Sequence, residues 1–338
     1  MYVYITIDTE AAHGDLPVDR MIWGKLDGVK GEYGIGLIAD ICQQHGVPAT
    51  FFLDVYEYSY YGEQAMKDVA IYLDKRGFDV QLHTHPAWYP DDRDSPIIRD
   101  VKRKKSCFSE NKYWMRMNSF DEQVDILRHG KELLEKWINK PVVAHRAGAY
   151  ALNLDTLKAL KEVGISIDSS MHFGHPNCYV NYSINQTVAC DGILEIPITG
   201  FFREVIWNAL FKYKHPVRFC ATNINGTAAD EILSFTKQAE FYDAKVVVLF
   251  LHSYSFVKFN HNFTKFKINT NAIENFKKVL YEFQNENHIF VNSRDLVELY
   301  KDSPYRLLGD LRRDGAPKEV TNKNLFWLAM RKAYDRFS

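Results

Sequence analysis

Hydrophobic residues along the chain fall into short continuous runs, separated by longer segments in which they recur every three or four positions. The short runs predict strands, and several are apolar on both faces, as strands covered on both sides are. They read YVYITI, PATFFL, FDVQLH, PVVAHR, GISIDS, GILEIPI, KVVVLFLH and HIFVNS. The helical pattern is clearest at residues 34–46, which end with Gly46, and at residues 119–138, where Ser119 and Glu122 predict a capping box.

The alternation of strands and helices predicts an α/β fold. About seven strand–helix repeats over roughly 290 residues fit a distorted parallel (β/α)7-type barrel better than a short sheet, with an open doubly wound sheet as the alternative. We expect the barrel to occupy residues 1–300 and residues 301–338 to form a C-terminal helical extension. Phe326, Met330 and Tyr334 recur there at steps of four, which predicts a helix either docked on the barrel or lying on an anionic membrane.

Composition narrows the class of protein. The chain has 338 residues, 46% of them hydrophobic, so it can bury a sizeable core. Its 42 basic and 43 acidic residues nearly cancel, which gives no reason to expect a nucleic-acid partner. The 5 cysteines include no C-x-x-C pair, which favours reduced thiols over a disulfide framework. The chain shows neither a signal-like start nor an apolar run of roughly 18 residues, and the prediction is a cytoplasmic protein.

Ionisable side chains stand at the carboxyl ends of five predicted strands. In a parallel barrel these ends form one face, where functional residues gather. Taken singly, each such residue has a structural explanation, such as an N-cap or a hydrogen-bonded core histidine. Five strands ending this way predict a functional site. The residues are Asp8, Glu10, His83, His85, Arg146, Asp168 and His252.

The spacing within this set points to a metal. Residues two apart in an extended chain point to the same side, so Asp8 with Glu10, and His83 with His85, can converge above the barrel. Two imidazoles and a carboxylate are the ligand set of a catalytic Zn²⁺ with an open position. The alternative is that one histidine binds the ion and the other only supports it. We therefore predict a divalent metal, with Zn²⁺ the expected ion.

The order of the strand-end motifs resembles a known family. The motifs ITIDTE, LHTHP, HRAGAY, SIDSS and LFLHSY, together with HGVPATFFL, resemble those of the polysaccharide deacetylases, which carry the NodB-homology domain and form carbohydrate esterase family four. The resemblance covers about residues 1–295. It implies a metal-dependent hydrolase that removes an acetyl or formyl group from the nitrogen of an amino sugar, within a glycan or glycan precursor.

The resemblance also implies roles for the first two motifs. It assigns the catalytic base to Asp8, the carboxylate ligand to Glu10, and the imidazole ligands to His83 and His85. The family commonly has adjacent aspartates in its first motif, whereas this chain has a D-x-E variant. Which of the two carboxylates binds the metal is therefore left open.

The histidine motif departs from the family as well. Its ligands are commonly four apart, but here they are two apart and position 87 is an alanine. His13 and His175 are therefore alternative third ligands.

The later motifs supply the remaining roles. By resemblance Arg146 pairs with the base, His252 protonates the leaving group, and Asp168 orients and tunes that histidine. The arginine motif ends in Ala149 and Tyr150, whose backbone N–H groups are the expected lining of the oxyanion hole.

The long connection after the histidine motif is expected to meet the substrate. Trp88 is the candidate for stacking on a sugar ring, with Tyr89, Tyr113 and Trp114 nearby in sequence; the alternative is that these aromatics pack the loop onto the barrel. Two other functions remain open. One is a glycosidase on a related barrel, which would require two carboxylates flanking the bond. The other is a catalytically silent glycan-binding protein.

Overall fold

The computed structural model describes residues 1–11, 18–89, 113–203, 218–260 and 264–316. Within these ranges the strands β1 to β13 are Tyr2–Thr9, Thr50–Asp54, Asp79–Thr84, Ala144–Ala147, Ile167–Asp168, Val188–Cys190, Ile193–Glu195, Gly200–Arg203, Arg218–Ala221, Val246–His252, Val257–Phe259, Phe266–Ile268 and Ile289–Val291. The helices α1 to α9 are Val18–Met21, Ile35–His45, Tyr58–Tyr61, Glu63–Lys75, Phe120–Ile138, Leu154–Glu162, Ala229–Phe241, Thr270–Asn285 and Ser293–Asp302.

The main sheet has the strand order β10-β1-β2-β3-β4-β5-β7-β6, and β13 pairs with the first half of β1. All its pairs are parallel except β6 with β7. Neighbours follow the chain order in one direction, as in a barrel, whereas a doubly wound sheet reverses its order at a switch point. The sheet curls into a half-barrel, which confirms the predicted α/β barrel-like fold.

The main sheet has a gap between β7 and β10, and the chain segments that flank the antiparallel pair β8–β9 lie across it. The N–H of Thr222 donates to the carbonyl of Thr199 at 2.9 Å, and the N–H of Phe250 donates to the carbonyl of Thr222 at 3.1 Å. The hydroxyl of Thr199 accepts from the N–H of Val248 at 2.9 Å. The half-barrel is thus closed by threonine and backbone hydrogen bonds.

Two hydrophobic clusters cover the two faces of the curled sheet. On β1, Val3 and Ile5 belong to the outer cluster between sheet and helices, while Tyr2 and Tyr4 belong to the inner cluster. The inner cluster also contains Phe52, Ala144, Ile167, Leu194, Val248 and Phe250. Because both faces are buried, the strands read as apolar on both sides, as their sequence predicts.

The long helices start and end where the sequence predicts. At the start of α5 the N–H of Ser119 donates to the carboxylate of Glu122 at 2.9 Å, and the Ser119 hydroxyl accepts from the N–H of Glu122 at 3.4 Å, which completes the capping box. Helix α2 ends at Gly46, whose φ of 64° lies in the left-handed region.

The chain after α9 continues to pack on the barrel. The predicted boundary at residue 300 lies within α9, and beyond it Leu307 is buried in the inner cluster. The carboxylate of Asp314 accepts from the N–H of Ile184 at 2.8 Å. The predicted amphipathic helix with Phe326, Met330 and Tyr334 lies outside the described residues.

Two further expectations concern membranes and cysteines. In the described ranges no helix is both long and apolar enough to cross a membrane. The cysteines described there are free thiols, namely Cys42, Cys178, Cys190 and Cys220, whereas Cys107 lies outside those ranges.

Candidate functional site

The register of the sheet brings the predicted site residues to one edge. Asp8 is the register partner of His252, and His83 is the partner of Arg146. Asp54, at the end of β2, is the partner of His83. Because the strands are parallel and their ends are level, these side chains share the carboxyl edge of the sheet, as their positions at strand ends predict.

Glu10, His83 and His85 form a compact group whose ligand atoms all lie within 4.8 Å of one another. Glu10 Oε2 is 3.2 Å from His83 Nε2 and 2.6 Å from His85 Nε2. On its other side His83 places Nδ1 2.8 Å from the carbonyl of Arg146, so Nδ1–H donates there and Nε2 is directed to Glu10. Within the described part of the chain, this is the only such group of metal-ligating side chains.

The electrostatics of this group favour a bound cation. Burial opposes a charge on His83, but the carboxylates of Asp8 and Glu10 prevail and raise the pKa of His83 to about 9. Burial likewise opposes the charge of Glu10, yet His85 and His83 hold its pKa well below the usual value. The site thus stabilises positive charge next to Glu10, and two imidazoles with one carboxylate fit a divalent ion of the zinc type.

Gly148 leaves room for the ring of His85. A Cβ on Gly148 would lie 2.3 Å to 2.4 Å from three atoms of that ring, so any other residue would displace it. The glycine in the motif HRAGAY was the sequence signal for this contact, and the family resemblance gave it no role.

Asp8 forms a buried ion pair with Arg146. The guanidinium donates from Nη1 to Asp8 Oδ1 at 2.8 Å and to the hydroxyl of Thr6 at 3.0 Å. It also donates from Nε to the carbonyl of Ser169 at 2.8 Å, and its carbon lies 4.5 Å from the ring centre of Phe52. Arg146 is fully buried in the barrel interior, where this network fixes the direction of the Asp8 carboxylate.

His252 lies beside the group of Glu10, His83 and His85. Its Nε2 is 3.7 Å from Glu10 Oε1, and its ring stacks on Tyr254 with 4.9 Å between centroids. Burial lowers the pKa of His252, although the carboxylates of Glu10 and Asp8 oppose this. The imidazolium of His252 therefore releases its proton readily.

Asp168 is directed away from His252, in contrast to the role that the resemblance implies. In the two-residue strand β5, Ile167 faces the barrel interior and Asp168 faces the helices. Asp168 Oδ1 is 2.8 Å from His145 Nδ1, and no described contact joins it to His252. Side chains alternate along a strand, so the residue of this motif that reaches Arg146 is Ser169.

Asp168 supports the turn at Gly148–Tyr150 instead. Its carboxylate accepts from the hydroxyl of Ser170 at 2.9 Å, and that hydroxyl accepts from the N–H of Ala147 at 2.8 Å. Ala149 and Tyr150 have φ values of 49° and 57°, which are costly for residues other than glycine. The turn that carries the predicted oxyanion-hole N–H groups is therefore a strained backbone held by its neighbours.

The predicted aromatic contacts divide into two groups. Trp88 packs against Tyr60 and Tyr61, with ring centroids 5.7 Å and 6.4 Å away, which is a packing role. Of the predicted loop aromatics, Trp114 lies beside the group of Glu10, His83 and His85, since its ring lies 6.2 Å from that of His85. Residues 90–112 of the same connection lie outside the described residues.

Of the two alternative third ligands, the structure describes only His175, which does not join the group. His175 lies against Tyr150, at 5.0 Å between ring centroids, and is not among the clustered ligand atoms. His13 lies outside the described residues.

Asp54 is a site residue that the sequence reading missed. Its Oδ1 accepts from the N–H of Tyr56 at 3.1 Å, whereas its buried Oδ2 has no hydrogen-bond partner among the described residues. Burial raises the pKa of Asp54 to about 6, against the opposing effect of His85 and His83. The sequence did contain a signal for Asp54, because this residue ends the strand TFFLD and functional residues gather at the carboxyl ends of parallel strands.

No family model matches the chain, and no curated protein matches it in sequence. Solved structures do match. A Mycobacterium smegmatis protein classed as a polysaccharide deacetylase has a TM-score of 0.50 at 16% identity, over 95% of this chain and 93% of that one. A 4-alpha-glucanotransferase from Thermococcus litoralis has a TM-score of 0.52 at 10% identity, over 88% of this chain but 40% of that one. At these identities the likeness is one of fold, and the chain has the fold of the polysaccharide deacetylases.

Proposed function

We propose that the protein is a metal-dependent hydrolase that removes an acetyl or formyl group from the nitrogen of an amino sugar, within a glycan or glycan precursor. The observation that carries the proposal is the group of Glu10, His83 and His85, with ligand atoms within 4.8 Å of one another. It lies at the carboxyl edge of a deacetylase-like sheet, beside the ion-paired Asp8.

The three protein ligands leave an open side. The side chain of His83 is 1% exposed, whereas those of His85 and Glu10 are 14% and 13% exposed. A divalent ion held there, which we expect to be Zn²⁺, supplies Lewis-acid chemistry that activates water and polarises the acyl carbonyl.

Protein side chains perform the proton transfers. Amide hydrolysis adds water across the C–N bond, giving a carboxylate and an amine. Asp8 accepts the proton of the attacking water, and Arg146 keeps that carboxylate oriented. His252, on the other side of Glu10, donates a proton to the departing amine. The turn with Ala149 and Tyr150 offers backbone N–H groups to the oxyanion.

The test is incubation of the Zn²⁺-loaded protein with N-acetyl and N-formyl amino sugars that are polymer-, lipid- or nucleotide-linked. We expect free acetate or formate from at least one of them, and none from the metal-free protein. Binding of a glycan without acyl release would instead identify a catalytically silent glycan-binding protein.

A second candidate acts on glycosidic bonds, because the fold is also that of a 4-alpha-glucanotransferase. Such chemistry requires two carboxylates flanking the bond. Here Asp8 is paired with Arg146 and Glu10 with two histidines, which favours metal binding over that role. New reducing ends or transferred glycosyl units, without acyl release, would decide for the second candidate.

A further inference from the structure

Asp54 is a buried carboxylate with one occupied and one free oxygen. Oδ1 caps the short helical turn Val55–Glu57 by accepting from the N–H of Tyr56. Oδ2 has no hydrogen-bond partner among the described residues, and the residue is fully buried. A buried carboxylate oxygen without a hydrogen bond is costly, so such an atom calls for a ligand.

The surroundings of Asp54 show what kind of ligand that is. Its strand position is the register partner of His83, and its carboxylate is attracted by His85 and His83 and repelled by Glu10. Two carboxylates thus face the same pair of imidazoles. Repulsion between them is relieved by a cation that lies between them.

A count of charges gives the valence of that cation. Arg146 neutralises Asp8 through their buried ion pair. Glu10 and Asp54 then remain as two negative charges beside two imidazoles that are neutral when they bind a metal. A divalent ion brings this buried group to neutrality, whereas Glu10 alone would leave an excess positive charge.

We propose that Asp54 is a fourth protein group of the metal site, with its free oxygen contributing to cation binding. The proposal rests on the proposed function only in that both require a metal at Glu10, His83 and His85. Asp54 is not among the atoms within 4.8 Å of one another, so the proposal gives it a supporting position behind the three ligands, which stay in place.

The variant Asp54→Asn separates this role from helix capping. Asparagine keeps an oxygen for the N–H of Tyr56, so the cap is preserved. It removes the negative charge that faces Glu10, His83 and His85. We expect the affinity for Zn²⁺, measured by competition with a chelating dye, to fall about 10- to 100-fold, as for loss of a supporting carboxylate. The melting temperature of the metal-free variant should not fall, because burial disfavours the charge of Asp54 and the variant removes that charge.

The matched control is Glu195→Gln. Glu195 is also a fully buried carboxyl at the end of a strand of the main sheet, and it accepts from the N–H of Met171 at 2.9 Å. It interacts with Asp168 and not with the metal-binding histidines. We expect the Zn²⁺ affinity of this variant to equal that of the unaltered protein.

The outcomes distinguish this inference from the proposed function. Equal Zn²⁺ affinity of Asp54→Asn and the unaltered protein would overturn the inference and leave the hydrolase proposal in place. Equal losses in Asp54→Asn and Glu195→Gln would also overturn it, because the effect would then be general to buried carboxyls. A metal-binding protein that releases no acyl group, but loses Zn²⁺ affinity on Asp54→Asn, would support the inference and overturn the hydrolase proposal.

Discussion

Arg146, and not the two histidines, holds the carboxylate of Asp8, so replacing Asp8 should separate catalysis from metal binding. We predict that Asp8→Asn abolishes acyl release while Zn²⁺ remains bound at one ion per chain. It should also lower the free energy of unfolding by about 3 kcal/mol, because it leaves Arg146 buried without its counter-ion. Metal analysis, turnover and denaturant unfolding measure the three effects. Loss of the metal together with turnover would make Asp8 a ligand.

The raised pKa of His83 predicts a proton linked to metal binding. With a pKa of about 9, His83 is protonated at pH 8 in the metal-free protein, and it must be neutral to bind an ion. We predict that adding Zn²⁺ at pH 8 releases at least about one proton, measured by titration in weakly buffered solution. A net release near zero would show that His83 is already neutral.

The same pKa shift has a consequence for stability. A histidine whose pKa is raised on folding stabilises the protein fully below its unfolded pKa of about 6.5, and this stabilisation is lost as the pH rises through the folded value. We therefore expect the free energy of unfolding of the metal-free protein to fall between pH 6.5 and about 9, the pKa of His83. His83→Gln should remove this part of the slope.

Gly148 offers a test of the position of His85 that changes no ligand. The added methyl of Gly148→Ala would lie within 2.4 Å of the His85 ring, which must move. We predict that the affinity for Zn²⁺ falls about tenfold or more, as for other losses of ligand orientation. The control is Gly226→Ala, because an added Cβ there has no neighbour within 4 Å. Equal Zn²⁺ affinities in the two variants would show that the backbone turn at Gly148 moves to accept the methyl group and that the His85 ring keeps its position.

Residue types and spacing were enough to find the clustered side chains of Glu10, His83 and His85, but not the direction of every side chain. His83 and His85 were recognisable because two histidines two apart on a strand share one side. The direction of the Asp168 side chain was not recognisable. Strand β5 has only two residues, and whether Asp168 or Ser169 faces the barrel interior depends on how the strand lies in the sheet. Asp54 was overlooked because a single strand-end aspartate usually caps a turn, which its Oδ1 does.

At the scale of elements, the parallel strands with long apolar runs were predictable and the short antiparallel ones were not. Strands β1 and β10 are buried along almost their whole length, so composition alone marks them. The hairpins β8–β9 and β11–β12 have three or four residues per strand. Their pairing depends on which partner lies alongside, and that information is not local in the sequence.

The capping box of α5 gives a prediction at this scale. Ser119 is exposed and its contacts are those of the cap, so Ser119→Ala should remove the two hydrogen bonds that its hydroxyl makes with Glu122 and little else. We predict a loss of about 1 kcal/mol in the free energy of unfolding, with no change in Zn²⁺ affinity. Ser119→Asp, which can also cap, is the control and should recover most of the loss. A change in Zn²⁺ affinity would show that the start of α5 is coupled to the site of Glu10, His83 and His85.

The whole molecule explains why a site assembled from distant segments was recognisable in the sequence. Strands β1 to β5 lie side by side in chain order, so every strand end adds a side chain to the same edge. This regularity follows from the parallel strand–helix repeat and needs no knowledge of contacts. The closure between β7 and β10 breaks it, because the threonine hydrogen bonds there belong to irregular chain that no periodicity marks.

The final prediction concerns the chain beyond α9, where three lengths can be compared: the full chain, residues 1–316 and residues 1–303. Removing residues 304–316 takes Leu307 out of the inner cluster and Asp314 from its backbone contact with Ile184. Loss of a buried leucine side chain alone costs about 2 to 5 kcal/mol, so residues 1–303 should melt clearly below residues 1–316. Equal melting would mean that Leu307 contributes nothing to the barrel. Comparing residues 1–316 with the full chain then tests the predicted C-terminal helix. If the helix is docked on the barrel, its removal lowers the melting temperature. If it lies on a membrane, its removal leaves the melting temperature unchanged and abolishes the sedimentation of the protein with anionic vesicles.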